Sequence, residues 1–461
     1  MPGCPILPLC RSPLGKGSCQ KIGRASLLAS RGPSKSLPHE ARREARPPDL
    51  GRFGIFSQLR RLEGGGPKSY NRLMKLKSSR HSGPLVLLIL AIACQEAPQS
   101  PPKAEKPQAE VAVKYGVPVQ SGPMDTILLK DYAPNSSLVV PETRAVKARF
   151  PVIDVHTHVY AKASAEVAEW VRTMDEVGIE LTVILTDATG AEFDRLADLY
   201  LKPYPSRFQL FCGLDTSDID SKDYPERAVG ELLRCYQKGA RGVGELSDKG
   251  WGLGGTAEAH LPRNQRLHPD DPRLDLFWEK CAELKLPVNL HIADHPSCWQ
   301  PLGPHQERTP DFQGFNLYGK DVPSYADLLA TRDRMLARHP KTVVIACHLS
   351  NQGNDLAALG KVLDYSPNLY LDVSARDYEV GRQPRGGARF LTRYKSRILF
   401  GTDMGRDKEM YRGWWRLLES GDEFIPGRIW WRYYGLELPG PVLESLYRTN
   451  AKRILNWNQV G

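Results

Sequence analysis

From residue 151 onward the chain alternates between two hydrophobic patterns. Short, near-continuous apolar runs recur: "PVIDVHTH" (151–158), "LTVILTD" (181–187), "FQLFCGLD" (208–215), "ARGVGEL" (240–246), "PVNLHI" (287–292), "TVVIACH" (342–348), "LYLDVS" (369–374) and "ILFGTD" (398–403). They lack the in–out alternation of a strand with one wet face, so they predict strands buried on both faces of a parallel sheet. Between them the apolar positions take helical spacing. Val167, Trp170, Val171, Met174 and Val177 fall at i, i+3, i+4, i+7 and i+10, with Gly178 as a stop. Eight strand-then-helix units over roughly 300 residues predict a (β/α)8 TIM barrel across 149–458. A doubly wound open sheet is the competing arrangement. No phosphate-binding fingerprint supports it, because "GLGG" (252–255) does not open a helix straight after a strand.

A barrel of this kind carries its chemistry at the C-terminal strand ends. There stand His156 and His158 (first strand), Glu245 (fourth), His291 (fifth), His348 (sixth) and Asp403 (eighth). Side chains at i and i+2 of a strand share a face, so His156 and His158 converge on the barrel axis. Buried imidazole nitrogens need a cation or hydrogen-bond partners. Nitrogen and oxygen ligands around one point suit Zn²⁺, with Mn²⁺, Fe²⁺ or Ni²⁺ as alternatives. Each residue alone has a plainer reading: a hydrogen-bonded core histidine, a surface glutamate, a helix-capping aspartate. Asp187 and Asp215 are read as helix N-caps only. The matching register of the whole set decides for a metal site. His260, His268, His295, His305 and His339 fall in loops or helices and are read as non-ligands.

Composition changes this picture little. At 41% apolar and 25% charged the chain fits a soluble globular enzyme. The net charge of +10 invites a nucleic-acid reading, which its distribution removes. Residues 1–73 hold 14 Lys+Arg against 4 Asp+Glu, leaving 49 of each for the rest. A nuclease of the TatD type would need a basic stripe that the neutral body lacks, and no nucleic-acid partner is expected.

The N-terminal third reads differently. Residues 1–73 are rich in Arg, Gly, Pro and Ser without a sustained period, as in a non-native upstream extension or a disordered basic tail. From Met74, a basic stretch (Lys75, Lys77, Arg80) precedes nine apolar residues, Leu85–Ala93, and then Cys94. Nine residues are too few for a bilayer core, which takes about 20. They suit a signal peptide over 74–94. "LAIAC" resembles a bacterial lipobox, with Ala91 where Leu or Val is usual. Cys94 would then be a lipid anchor, the one expected membrane contact, on an exported periplasmic or membrane-anchored lipoprotein. Residues 95–148 are read as a linker, flexible to about 115, and an arm packing on the barrel. Of nine cysteines, Cys212, Cys235, Cys281, Cys298 and Cys347 lie in the body with no Cys-x-x-Cys pair, which argues against a disulfide framework. Cys212 and Cys347 are read as small buried residues.

His-x-His after the first strand, His after the fifth and sixth, and "GTD" after the eighth together resemble the amidohydrolase superfamily. "FPVIDVHTH" (150–158) and "LESLYRTNAKRILNW" (443–457) are similar to its amidohydrolase-related (family 2) branch. The resemblance implies a barrel with one or two divalent metals, usually zinc. It implies hydrolysis of an amide, ester or lactone of a small molecule, or alternatively decarboxylation of an aromatic or muconate-type acid. By position it implies His156, His158 and His291 as metal ligands and Asp403 as a ligand that also exchanges a proton with bound water. His348 would be a second-metal ligand or a catalytic acid/base. Glu245 departs from the one-metal decarboxylases, since "GVGEL" puts a carboxylate where TatD-like and phosphotriesterase-like members have a bridging ligand. In the implied mechanism the cation lowers the pKa of water from about 15.7 to near 7. Asp403 takes that proton and returns it to the leaving group. In the decarboxylase alternative, His348 or Asp403 protonates the ring carbon.

Substrate determinants are fewer. Arg376, after the seventh strand, could hold a carboxylate in a bidentate way, or be a salt-bridged arginine. Trp251 could stack on a ring, and Asn351 lies in the loop "SNQGN". Trp414, Trp415, Trp430 and Trp431 are read as packing. The connection after the fifth strand runs to about fifty residues, long enough to act as a lid or a homo-oligomer contact. A non-enzymatic binding barrel is a further reading, against which the complete ligand set argues.

Overall fold

The computed structural model describes residues 121–456, apart from 129–130, 309–314 and 428–430. It also describes two short strands before them, Val113–Lys114 and Val117–Pro118, which pair antiparallel. The chain forms two units, Met1–Pro118 and Val119–Gly461. The basic leader, the signal-like stretch, Cys94 and Trp430 lie outside the described residues. Among the described residues no helix is long and apolar enough to cross a membrane.

The second unit is built on eight strands: β1 (Val152–Thr157), β2 (Ile179–Leu185), β3 (Phe208–Cys212), β4 (Ala240–Asp248), β5 (Val288–Ile292), β6 (Val344–Ala346), β7 (Leu369–Asp372) and β8 (Ile398–Leu399). They form one sheet in sequential order, each neighbouring pair parallel. The chain leaving β8 returns to β1. The Val155 N–H donates to the Phe400 carbonyl (3.0 Å) and the Asp403 N–H to that of His156 (2.9 Å). The sheet is thus a (β/α)8 barrel. Each expected run holds the observed strand, although β2 starts two residues early and β4 runs on to Asp248.

The principal helices are α1 (Ser164–Val177), α2 (Gly190–Tyr200), α3 (Tyr224–Gln237), α4 (Asp275–Glu283), α5 (Tyr325–Arg338), α6 (Leu356–Tyr365), α7 (Asp377–Arg382), α8 (Pro384–Arg393) and α9 (Lys408–Glu419). In α1 the spaced apolar positions do what their period predicts. Val167, Trp170, Met174 and Val177 are buried. Glu166 caps the start by accepting the Lys162 and Ala163 N–H groups (2.6 and 3.1 Å). Gly178 ends the helix at φ 94°, a left-handed conformation that favours glycine.

Three apolar clusters result, of which two form the body of the barrel. The larger lies between strands and helices, and includes Trp414 and Trp415 of α9 packed on Phe400. The smaller joins Ile153, Val155, Leu181, Val183, Phe211, Ile345 and Leu399. Residues of β1, β2, β3, β6 and β8 meet in this way only through the barrel interior. Ala451, Ile454 and Leu455 complete that cluster, which explains the closing motif. Asn450, 2% exposed, donates to the Lys395 and Ile398 carbonyls (2.6 and 2.8 Å), seating the last helix against β8.

The arm before β1 has neither helix nor strand over 132–151, yet it is fastened. Ala145, Ala148 and Phe150 pack on the larger cluster. The Thr143 N–H and hydroxyl both donate to the buried Asp422 carboxylate (2.7 Å each), which Arg416 Nε also reaches at 2.6 Å. Thr143→Val removes the hydroxyl bond alone. It is expected to cost about 1.5–3 kcal/mol in chemical unfolding, as for a hydrogen bond to a charged group; an unchanged midpoint would show the arm to be loosely held.

Candidate metal centre

The functional side chains meet at the C-terminal end of the strands, and local irregularities aim them. In β1 the pairing slips between Asp154 and Thr157. Val155 packs in the interior cluster, and His156, the next residue, also points inward. In β4 the pairing slips between Val243 and Leu246, so three steps on β4 match two on β5. Such a bulge redirects a side chain, here Glu245. Two glycines make room. A Cβ on Gly244 would lie 2.7 Å from that of Asn289, and one on Gly401 would lie 2.8 Å from that of His156. The "GTD" glycine therefore lets the eighth strand end close against the first histidine.

Glu245 occupies the middle of the cluster. Its Oε2 faces the first-strand histidines, 3.3 Å from His158 Nε2 and 3.8 Å from His156 Nε2. Its Oε1 faces the other pair, in contact with His291 Nδ1 and 3.5 Å from His348 Nε2. Asp403 Oδ1 stands 3.2 Å from His158 Nε2 and 3.9 Å from His156 Nε2, with Oδ2 3.8 Å from His348 Nε2. Two sets of donor atoms could each hold a cation. One is His156, His158 and Asp403; the other is His156, Glu245, His348 and Cys347. Cys347 fits least well, since burial pushes its thiol up and the thiol donates to Asn289 Oδ1 (2.8 Å).

The surroundings prepare the histidines as ligands. His156 Nδ1 is 2.9 Å from Asp372 Oδ2, His158 Nδ1 3.2 Å from the Leu185 carbonyl, and His348 Nδ1 2.9 Å from the Ser374 carbonyl. Each acceptor takes the Nδ1 proton, which leaves an Nε2 lone pair aimed inward. The buried Nε2 of His156 has no hydrogen-bond partner, whereas His291 turns Nδ1 to Glu245 and Nε2 to Asp294 Oδ1, 3.5 Å away. A buried lone pair left this way is costly unless a cation meets it. The donor set thus fits a divalent metal.

Charge agrees with geometry. Burial opposes charging His156, but Asp372, Asp403 and Glu245 outweigh it and raise the imidazole to about 9. Burial is likewise overcome at His158 by Asp403 and Glu245, and its pKa rises. Burial would raise Glu245 and Asp403, yet the surrounding histidines hold both carboxyls below their ordinary range. His348 is the exception. Burial and then the Arg376 cation depress it to about 4, so it stays neutral. The cluster is an anionic pocket that takes up protons when no metal cation is bound.

Asp372 is not apparent from strand-end position. Besides His156, its carboxylate accepts the N–H groups of His348 (2.9 Å) and Ser374 (3.1 Å). Asp372→Asn presents an amide N–H to one of these donors. It is expected to weaken metal binding about 10–100-fold in chelator competition; unchanged affinity would contradict the tautomer argument.

Several residues singled out in the sequence take other places. Asp187 does not cap α2, whose N-cap is Thr189. It accepts the Glu245 N–H at 2.6 Å, and burial raises it to about 6. Arg376 is buried and donates to Asn351 Oδ1, joining two residues expected to touch substrate; its Nε is 3.7 Å from Glu379. Trp251 packs on Cys298, Leu317 and Val322 of the loop after β5, with the Arg266 guanidinium 5.0 Å from its ring. Arg266 ties that loop to the loop after β4 through the Asp321 and Gly250 carbonyls (2.7 and 3.2 Å). His268 and His339 bond Asp248 (2.6 Å) and Asp275 (3.1 Å), and His295 Nδ1 bonds Ser297 (2.6 Å). Two further contacts have no signal in the sequence. Tyr160 donates to Asp403 Oδ1 (3.2 Å), and Lys249 stands 3.4 Å from Asp294 beside His291.

The turn carrying His348 is unusual. His348, Leu349, Ser350 and Asn351 have φ of 57°, 51°, 55° and 51°. Left-handed conformation costs a non-glycine residue roughly 1–2 kcal/mol, so four in succession need outside support.

A parallel barrel with histidines and carboxylates gathered at the C-terminal strand ends defines a metal-dependent barrel enzyme. The chain belongs to the amidohydrolase family: the Amidohydro_2 (amidohydrolase) model matches residues 143–457. No curated protein matches. Among solved structures, a TIM-barrel protein from Bordetella bronchiseptica is 18% identical, covers 67% of this chain and 100% of its own, and has a TM-score of 0.43. A 2,6-dihydroxybenzoate decarboxylase from Rhizobium is 19% identical over 67% of this chain and 99% of its own, TM-score 0.44. A 5-carboxyvanillate decarboxylase from Novosphingobium aromaticivorans, complexed with manganese and 4-hydroxy-3-methoxy-5-nitrobenzoic acid, is 12% identical over 68% and 100%, TM-score 0.42.

Proposed function

We propose that the protein is a binuclear metal-dependent hydrolase that cleaves an amide, ester or lactone of a small molecule. The observation that carries this is the division of Glu245, one oxygen toward His156 and His158, the other toward His291 and His348. On this reading His156, His158 and Asp403 would hold one ion and His291 and His348 the second, with Glu245 shared between them. Zinc suits these nitrogen and oxygen ligands, with manganese, iron or nickel as substitutes. Bound there, a metal would supply Lewis acidity, which lowers the pKa of water from about 15.7 to near 7.

The chain's own groups do the rest. Asp403 takes a proton from the attacking water and returns it to the leaving group. The Tyr160 hydroxyl holds its Oδ1. Arg376 and Asn351, linked and buried beside His348, would orient a carboxylate or carbonyl on the substrate. Decarboxylation of an aromatic or muconate-type acid is the second reading, favoured by the Arg376 guanidinium so close to the cluster. The deciding experiment incubates zinc-loaded protein with a panel of amides, esters, lactones and aromatic acids. Substrate hydrolysis without CO2 supports the first reading; CO2 release with one metal per chain replaces it with the second. Export, with lipidation at Cys94, is proposed from the sequence alone and is tested by labelling with a radioactive fatty acid.

A further inference from the structure

The left-handed turn from His348 to Asn351 is clamped from outside the site. Helix α5 reaches it twice, from residues seven positions apart and therefore two turns along one face. The Tyr325 hydroxyl donates to the Asn351 carbonyl (2.7 Å). Arg332 Nη1 donates to Ser350 Oγ and to Gln352 Oε1 (2.9 Å), while its Nε and Nη2 are held by Asp333 (2.8 and 2.6 Å). The arginine is 1% exposed. From the opposite side Asn351 Nδ2 donates to the Ile292 and Ala293 carbonyls (3.0 and 3.1 Å). The segment "HLSN" has no glycine to make positive φ inexpensive. Its conformation is imposed by these tertiary bonds.

We propose that Arg332 is a positioning residue for the metal centre. It touches no reacting group; by gripping Ser350 and Gln352 it keeps the turn left-handed and so aims His348 Nε2 at Glu245 and Asp403. A buried guanidinium suits the task because its fixed fork bonds several acceptors at once. The proposal rests on the reading of His348 as a ligand only for its effect on metal binding.

Arg332→Met keeps the unbranched start of the stem and removes both bonds to the turn. Hydrogen exchange read by mass spectrometry is expected to show amides 347–352 exchanging at least about tenfold faster, with peptides from α5 and the strands unchanged. Zinc is expected to bind about 10–100-fold more weakly in chelator competition. Adding Ser350→Gly to Arg332→Met is expected to recover part of both losses, because glycine accepts positive φ freely. An arginine that merely filled space would not be rescued by a glycine in the turn. Should Arg332→Met fail to fold, Ser350→Ala removes one of the two bonds and is expected to move both readouts the same way by less. A folded Arg332→Met with wild-type exchange over 347–352, or Ser350→Ala with no change, would overturn the proposal. His348→Ala measured in parallel separates the two ideas. Zinc binding unmoved by that variant sinks the assignment of His348, while the exchange result still decides the role of Arg332.

Discussion

Asp403→Asn is expected to fold like the parent and to lose turnover by about 10²–10⁴-fold, the range for removal of a general acid–base group. Asp403 sits at φ 51°, a left-handed conformation that asparagine tolerates better than most residues. Its N–H bond to the His156 carbonyl is unaffected by the substitution. What changes is the side chain. An amide cannot take a proton from water, and its Nδ2 would turn a donor either toward the Tyr160 hydroxyl, from which the carboxylate now accepts, or toward His348 Nε2, 3.8 Å from the carboxylate. Steady-state rates alongside a thermal melt read both halves of the expectation. Near-parental turnover would remove Asp403 from the proton-transfer role.

Glu245→Gln is expected to reduce bound metal from two ions to one. The carboxylate serves two sets of histidines through two equivalent oxygens, and an amide offers only one acceptor. Its NH₂ group, turned toward either pair, would face a cation or an imidazole Nε2 poised to ligate one. The charge deficit is equally important. Glu245 is among the charges that raise His158 and His291, together with Asp403 at the first and Asp294 at the second. Losing it lowers the attraction of the pocket for any cation. The weaker site is expected to lose more than the roughly 10–100-fold that follows removal of an outer-shell partner. Titration with zinc, followed calorimetrically, would show one transition where the parent shows two. Retention of both would mean that Glu245 does not bridge.

Much of the barrel is legible in the sequence, for a physical reason. Strands buried on both faces leave unbroken apolar runs, and ligand-type residues at their ends stand out against that background. The same background hides the rest. Strict alternation places His156 and His158 on one face, yet the slip in β1 turns His156 inward directly after Val155. No local feature of "VIDVHTH" announces a bulge. Asp372 lies inside the apolar run "LYLDVS", and a carboxylate in a buried strand does signal a partner, although its identity depends on the barrel closing. Asp187 resembles a helix cap because it precedes α2, whereas its acceptor role is set by Glu245 across the sheet. Arg332 stands in "TRDRMLARHP" among other charged residues, and nothing local marks it as the buried one. Its burial exists only once α5 packs under the turn after β6. Trp251 reads as an exposed loop aromatic and is instead partly covered by the loop after β5. In each case the missing information is a contact between residues far apart in the chain.

Two metal ions in one pocket, bridged by Glu245, are tested most directly by elemental analysis of the purified, zinc-reconstituted protein. Two ions per chain is the predicted result. A single ion per chain would contradict the bridged centre and favour the decarboxylase reading, and no tightly bound metal would leave the inward histidines without the cation that their geometry requires.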